Sequence, residues 1–426
     1  MVGSQDESGA TASPHSVVVV GASHAGVQFA DRLRSGGYTG ELTLISSEPH
    51  LPYQRPPLSK AWLKGDATSE SVLLREPDYY AEHKIELVSG ARVERLRRIP
   101  GGVEVKYLGD ADVVVRQFDR LVLATGARPR RLGLPGTDHP DVLVLRDLND
   151  AQSLAARVAA GPMVVVGGGF IGLEVAATAR ALGAEVSVIE AGDRLLARAV
   201  GEDTASTLLA AHRAMATNVV LGAVPASITH RADTIQGVRL EDGRELPAAT
   251  VLLGIGAEAR TELAEQLGLE CDGGIVVDDR CLASDGWTLA IGDCTTHVSG
   301  AGSRYRLESV DNAVEQANAA AALLLGESPS QRPAPWFWSD QGDEKLQIVG
   351  LASGHTSTLV RVDPQRPRRR VILYFRDDAL TAAECLNAPA DFVALRSALS
   401  RGYRPGPTEL ADATIPLKKL LAPARS

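Results

Sequence analysis

The sequence predicts an α/β chain with two Rossmann-like nucleotide-binding domains followed by a smaller C-terminal α+β domain. Three observations carry that expectation. A β-branched run, a glycine turn and an apolar helical stretch follow one another from Val17 to Leu33. The same succession returns from Met163 to Leu182. Near Pro333 the texture changes to clustered aromatics and then to new strand candidates.

The first unit opens with Val17–Val20, a continuous apolar run of the kind a buried parallel strand needs. GASHAG, Gly21–Gly26, follows, then a helix through Leu33, then a second strand, Leu42–Ile45, leading to Glu48. In a dinucleotide fold the first glycine makes the tight turn. The second lets the backbone approach the pyrophosphate, and the third allows close helix–strand packing. The helix N-terminus then stabilises the negative charge. Gly21 and Gly26 fill the outer places here, and Ser23 holds the middle one.

The second unit is complete. Met163–Val166 is the strand, and Gly167, Gly169 and Gly172 of GGGFIG fill all three places. Leu173–Leu182 reads as the helix and Glu185–Ile189 as the next strand, ending at Glu190. A lone turn of this kind also occurs with no ligand. A strand before it, a helix after it and a carboxylate downstream favour a nucleotide, and two units in one chain favour it further. Glu48 and Glu190 are placed to accept from adenosine ribose hydroxyls. The plainer alternative, a solvated acid at a strand end, weighs more for Glu48 than for Glu190.

Val103–Tyr107 and Val113–Phe118 alternate as antiparallel strands do. Three short apolar strands end in glycine: LVLATGA (Leu121–Ala127), TVLLGIGA (Thr250–Ala257) and TLAIGDC (Thr288–Cys294). Asp293 either accepts from a sugar-alcohol hydroxyl or belongs to an ordinary Gly-Asp turn. RPPLSK, Arg55–Lys60, is a proline-stiffened segment carrying a cation, which suits a site beside an electron-rich ring. Its alternative is a turn followed by a helix N-cap at Ser59. RLESVDNAVEQA, Arg306–Ala317, reads as a helix start at which Glu308, Ser309 and Asn312 satisfy backbone or ring groups.

In PWFWSD, Trp336 and Trp338 face one side of a strand, either as core or as a wall beside a ring. Lys345–Leu351, Thr358–Val362 and Val371–Phe375 are further strands, and Ala390–Leu399 is a helix. The arginines at 366, 368, 369 and 370 read as a solvated hairpin loop.

Composition excludes several classes. The chain has 426 residues, 44% of them hydrophobic, and a net charge of -9, which argues against a nucleic-acid surface. Met1–His15 is small and polar, with no basic start and no apolar segment, so it is not read as a secretory signal and residues 1–13 are expected to be a disordered leader. The longest uncharged apolar stretch, Val158–Leu173, is interrupted by Gly161, Pro162 and three consecutive glycines and falls short of the ~20 residues of a membrane helix. No membrane is expected as a partner. Cys271, Cys281, Cys294 and Cys385 contain no close pair. That fits a reducing cytoplasm and leaves no disulfide framework, metal cluster or redox dithiol.

Together VVVVGASHAG, EPHLPYQRPPLSK, LVLATGARPR, VVVGGGFIGLEVAA, AIGDC, RLESVDNAVEQA and PWFWSDQ resemble a known family. It is the FAD-dependent, NADH-using ferredoxin reductases of bacterial cytochrome P450 and Rieske oxygenase systems, of the putidaredoxin reductase type. The resemblance implies a glutathione-reductase-type fold: an FAD domain in two parts, 14–128 and 259–332, an NAD domain at 129–258, and a C-terminal domain at 333–426 covering the flavin. By motif position Gly21, Ser23, Gly26, Glu48, Arg55, Lys60, Ala91, Arg128, Asp293 and Val310 would contact FAD. Gly169, Ile171, Glu190 and Gly256 would contact NAD. The same motifs add His24, Ala25, Thr125, Gly126, Gly167, Phe170, Gly172 and Gly292 to the cofactor-binding set. Lys60 would lie at the reactive edge of the isoalloxazine, Glu174 near the nicotinamide and paired with Lys60, and Trp338 near the exposed flavin edge.

The implied partner is a 2Fe-2S ferredoxin serving an oxygenase, with Arg304 and Arg306 as a local basic docking patch. Alternatives are an NADH oxidase, a rubredoxin reductase or a nitrite-reductase-associated flavoprotein. An oxidase would place a cysteine in the first domain, and none precedes Cys271. A redox-sensing protein of the apoptosis-inducing-factor type shares the fold. Three positions depart from the family pattern: Ser23 for glycine, Gly342 for an aromatic and Asp311 for glutamine. The last two put the partner's identity in question.

Overall fold

The computed structural model describes residues 14–109, 112–298 and 302–422; the expected leader at 1–13 lies outside them. The chain divides into two compact units. One comprises Met1–Tyr53, Leu74–Gly126 and Ala259–Ser330, the other Gln54–Leu73, Ala127–Glu258 and Gln331–Ser426.

The first unit is built on a parallel sheet in the order Leu289–Ala290, Arg120–Leu123, Ser16–Val20, Glu41–Ile45, Glu86–Val88. Val17 pairs with Leu42 on one side and Arg120 on the other. Both faces of this central strand are covered, so its apolar run needs no alternation. The His24–Ser35 helix buries Phe29 and Leu33 against it. That helix also packs on the Val310–Leu324 helix through Ala313, Ala317, Ala320 and Ala321, whose small side chains allow close approach. The other face is closed by an antiparallel sheet of Arg92–Ile99, Gly102–Leu108 and Val113–Phe118, which contributes Leu96, Val103, Val105 and Tyr107. The expected strand at Thr288–Cys294 is paired only at Leu289–Ala290. Gly292, at φ +79, turns the backbone into a 3-10 turn, Gly292–Cys294.

The second unit repeats the pattern with the order Asn218–Leu221, Val186–Glu190, Met163–Val166, Thr250–Leu253, Val142–Leu143, again parallel. Its helix, Phe170–Ala181, starts earlier than its apolar periodicity suggests. Gly169 is the N-cap, and Gly172 is inside the first turn because a Cβ there would stand 2.5 Å from the Gly167 carbonyl oxygen. A second antiparallel sheet, Pro225–Arg231, Thr234–Leu240 and Glu245–Pro247, lies in this unit.

The C-terminal part of the unit is a five-stranded antiparallel sheet in the order Trp336–Gln341, Glu344–Gly350, Ala379–Leu386, Arg366–Arg376, Ser357–Asp363. The Pro389–Ser400 helix covers it with Phe392, Leu395, Ala398 and Leu399. The arginine run is not a loop. It forms the first half of the Arg366–Arg376 strand, where its charges find carboxylates on neighbouring elements. Arg368 meets Glu344 at 2.6 Å, Arg369 meets Asp391 at 2.7 Å and Arg366 meets Asp363 at 2.9 Å. Among the described residues no helix is long and apolar enough to cross a membrane. All four cysteines are free thiols, three of them buried.

Candidate nucleotide and redox site

In the first unit the glycine turn is shaped by contact rather than by flexibility alone. Gly21 adopts φ +116, and a Cβ on it would stand 2.1 Å from the Ala124 carbonyl oxygen. A Cβ on Gly26 would stand 2.0 Å from the Gly21 oxygen. Ser23 takes the N-cap position in extended conformation, with His24, Ala25 and Gly26 forming the first helical turn. At the same helix end a Cβ on Gly292 would meet Ala25 Cβ at 3.1 Å, so Gly292–Asp293 abuts the turn.

The other expected FAD residues of this unit gather at the carboxyl ends of its strands. Glu48 follows the second strand and accepts from the Tyr53 hydroxyl. Ala91 is tied to the Ser46 carbonyl by its amide at 2.8 Å. Thr125 Oγ1 donates to the Arg260 carbonyl at 2.8 Å, and Gly126 turns at φ +68. Val310 begins its helix behind Ser309, whose hydroxyl accepts from the Asn312 amide at 3.0 Å. This cradle of glycine backbone at a helix start, with a carboxylate at the end of the next strand, fits a dinucleotide.

In the second unit Gly167, at φ +110, leaves no room for a Cβ, which would sit 2.5 Å from the Gly254 oxygen. Glu190 closes the turn: Oε2 accepts from the Gly168 amide and Oε1 from the Gly192 amide, both at 2.7 Å. Gly168 is a residue of this site that sequence reasoning missed. A Cβ on it would stand 2.9 Å from Glu190 Oε2 and 2.7 Å from Leu195 Cδ2. Three consecutive glycines were the signal for it. Ile171 is exposed at this end, while Phe170 packs on Phe337 with ring centroids 4.5 Å apart. Gly256, at φ +96, lies beside Arg198, a second residue missed from sequence. Arg194 turns its guanidinium to the carbonyls of Val200 and Ala197, at 2.6 and 2.7 Å.

Lys60 and Glu174 meet as the motif suggested. Lys60 Nζ stands 2.5 Å from Glu174 Oε2, with the lysine side chain 21% exposed and the glutamate 4%. Ser59 does not cap a helix. Pro56–Ser59 is a 3-10 turn, and the Ser59 hydroxyl donates to Glu174 Oε2 at 2.5 Å. Thr178 holds Ser59 from behind, its hydroxyl donating to the Ser59 carbonyl at 2.9 Å. On the other side Ser339 Oγ donates to Glu174 Oε1 at 2.8 Å. The carboxylate thus has donors on both oxygens, as a buried charge requires. Ser59 and Ser339 were missed as members of the cluster, because serines carry no periodic signal.

Arg55 Nη1 donates to the Arg146 carbonyl at 2.5 Å, and Arg128 pairs with Glu258 at 2.5 Å. Trp336 and Trp338 stack on one face of their strand, centroids 5.2 Å apart, as the alternation suggested. Trp336 leans on core residue Phe392, and Trp338 is half-buried. Gly342 occupies the following turn at φ +64, a backbone conformation that strains any side chain, and a Cβ there would stand 2.9 Å from Met215 Sδ. Asp311 is in the first turn of its helix, where the macrodipole favours an acid.

The basic patch does not form as expected. Arg304 pairs with Glu270 and, at 2.9 Å, with Asp272; Arg306 pairs with Glu308 at 2.9 Å. Three carboxylates surround two guanidiniums, so this surface has no positive excess. The sequence shows Glu308 close to Arg306 but not Glu270 and Asp272 folded against Arg304.

The pyridine nucleotide-disulphide oxidoreductase profile matches residues 15–317, and the reductase C-terminal profile matches 336–421. Rhodocoxin reductase of Rhodococcus erythropolis is 39% identical, over 96% of this chain and 94% of that protein. The ferredoxin–NAD(+) reductase component of an anthranilate 1,2-dioxygenase system from Burkholderia cepacia is 37% identical, over 95% and 98%. The reductase in the crystal structure of a covalent putidaredoxin reductase–putidaredoxin complex superposes with a TM-score of 0.90 at 36% identity, covering 96% of this chain and 98% of that one.

Proposed function

Because this chain belongs to the pyridine nucleotide-disulphide oxidoreductase family and carries the reductase C-terminal domain, we infer that it is an FAD-containing NADH:ferredoxin reductase. It moves electrons from NADH to a 2Fe-2S ferredoxin that serves a cytochrome P450 or Rieske oxygenase. The carrying observation is two nucleotide-binding units in a chain whose four cysteines form no pair. With no dithiol to receive them, the electrons leave singly to an external carrier. When bound, FAD supplies the step from a two-electron hydride donor to a one-electron acceptor.

The chain's own residues bind, align and balance charge. In this reading the FAD domain is 14–128 with 259–332, the NAD domain 129–258 and the C-terminal domain 333–426. Gly21, Ser23, His24, Ala25, Gly26, Glu48, Arg55, Lys60, Ala91, Thr125, Gly126, Arg128, Gly292, Asp293 and Val310 hold FAD. Gly167, Gly169, Phe170, Ile171, Gly172, Glu190 and Gly256 would hold NADH, and Trp338 would lie toward the flavin edge. The starts of the His24–Ser35 and Phe170–Ala181 helices would turn backbone amides and a positive dipole end to the pyrophosphates. Lys60 would present a positive charge to the bound flavin and so favour its reduced, more negative form. Glu174 keeps that ammonium in place at 2.5 Å. Four free thiols suit a reducing cytoplasm as the site of action.

NADH-driven reduction of cytochrome c, with and without an added 2Fe-2S ferredoxin, tests the reading. Reduction should depend on the ferredoxin and require bound FAD. A rate independent of any ferredoxin, or a protein that does not take up FAD, would overturn it.

A further inference from the structure

Beyond the Lys60–Glu174 pair, a line of fully buried polar side chains runs away from the carboxylate. Ser339 Oγ contacts Glu174 Oε1 at 2.8 Å, Gln341 Nε2 contacts Ser339 Oγ at 3.2 Å, and His212 Nε2 contacts Gln341 Oε1 at 3.0 Å. Ser339, Gln341 and His212 are each at most 1% exposed. We propose that Ser339, Gln341 and His212 are positioning residues that fix the polarity of the hydrogen bond received by Glu174, and through it the placement of Lys60. The proposal rests on the reading of Lys60 and Glu174 given above.

The polarity follows from what each group can donate. A carboxylate only accepts, so Ser339 must give its single hydroxyl hydrogen to Glu174. Its lone pairs then face Gln341, which must present its NH2 there and its carbonyl to His212. His212 must therefore carry its hydrogen on Nε2. Burial disfavours the charged imidazole, and Nδ1 has no hydrogen-bond partner among the described residues, so a second ring hydrogen would be stranded. With the other tautomer, Gln341 would flip, its carbonyl would face Ser339, and the hydroxyl would be drawn off Glu174. The ring of His212, three side chains from the carboxylate, thus sets whether Glu174 keeps its donor on Oε1. A core at this place needs no such chain; apolar residues would pack at less cost.

The test is anaerobic rapid-mixing reduction of the holoenzyme by NADH, paired with 15N NMR of the histidine side chains. Ser339→Ala should lower the limiting rate of flavin reduction roughly tenfold, the worth of one hydrogen bond to a charged group, with the Kd for NADH within about twofold. Ser339→Thr should restore it. Gln341→Met should slow reduction alone but add nothing to Ser339→Ala, since it acts through that hydroxyl. His212 should be observed as the neutral Nε2–H tautomer, and retained FAD with a single cooperative unfolding transition checks that each variant is folded. An Nδ1–H or charged His212, additive effects, or a wild-type rate in Ser339→Ala while Glu174→Gln is slow, each overturns the proposal. If Glu174→Gln is itself as fast as wild type, the reading of the Lys60–Glu174 pair fails instead.

Discussion

The Glu190 carboxylate receives the Gly168 amide on one oxygen and the Gly192 amide on the other, both at 2.7 Å. The acid at the strand end is therefore locked to the glycine turn.

That geometry predicts coenzyme choice. A fixed carboxylate accepts from the adenosine ribose 2′-hydroxyl of NADH and repels the 2′-phosphate of NADPH. Arg194, the cation nearest in sequence, is committed to backbone carbonyls. NADH should be preferred at least about tenfold in kcat/KM, one lost contact plus repulsion being worth ~1–3 kcal/mol. Glu190→Ala should narrow the preference mainly by raising the KM for NADH. Equal kcat/KM for both coenzymes in the wild-type protein would remove Glu190 from this role.

Gly168→Ala tests the lock without touching the acid. Gly168 is not at positive φ, so the variant suffers contact and not backbone strain. The new methyl group displaces the Glu190 side chain, and KM for NADH should rise severalfold with kcat held within about twofold, the pattern of lost ground-state binding. Steady-state kinetics giving an unchanged KM would show that the turn yields instead.

Lys60→Ala should slow flavin reduction on the order of a hundredfold while weakening FAD binding little, because it removes a charge aimed at the reduced ring. It also leaves Glu174 buried with only serine donors, so the unfolding midpoint should fall. Stopped-flow reduction at the wild-type rate excludes the role.

Glu384 supplies a pH dependence. It is 2% exposed, and its Oε1 accepts from the Tyr374 hydroxyl at 2.7 Å and the Gly201 amide at 3.0 Å. Burial pushes its carboxyl above the ordinary glutamate value. The folded state therefore binds this proton more tightly than the unfolded state. The resulting stability is full below the ordinary value and is lost as pH rises through the raised one. Glu384→Gln keeps the acceptor and removes the charge. It should be more stable than wild type at pH 8, where burial opposes the wild-type charge, and the gap should close toward pH 4. Thermal unfolding midpoints across that range measure it; a gap that does not change with pH contradicts it.

Much of the scaffold was legible because backbone geometry writes itself into residue type. A doubly covered strand shows as Val17–Val20, and a turn without room for Cβ shows as Gly21 and Gly167. Glu190 was legible because it must end its strand. What failed to show depends on partners distant in sequence. The arginines from 366 to 370 looked like a loop because Glu344 and Asp391 lie on other elements. Arg304 looked basic because Glu270 and Asp272 are fixed beside it only by folding. Ser59 and Ser339 join Glu174 from segments far apart, and neither pattern nor period marks them.

The alanine-lined contact between the His24–Ser35 and Val310–Leu324 helices constrains how such chains can be recombined. One helix comes from the start of the chain and the other from well past its middle, yet Phe29 and Leu33 on the first share one core with Ala317, Ala320 and Ala321 on the second. A bulkier side chain on either helix must be answered by a smaller one on the other. A chimera that takes its amino-terminal third from a relative and keeps the rest would join two halves never selected together at this seam. Exchange of both helices as one block is the crossover that preserves the fit.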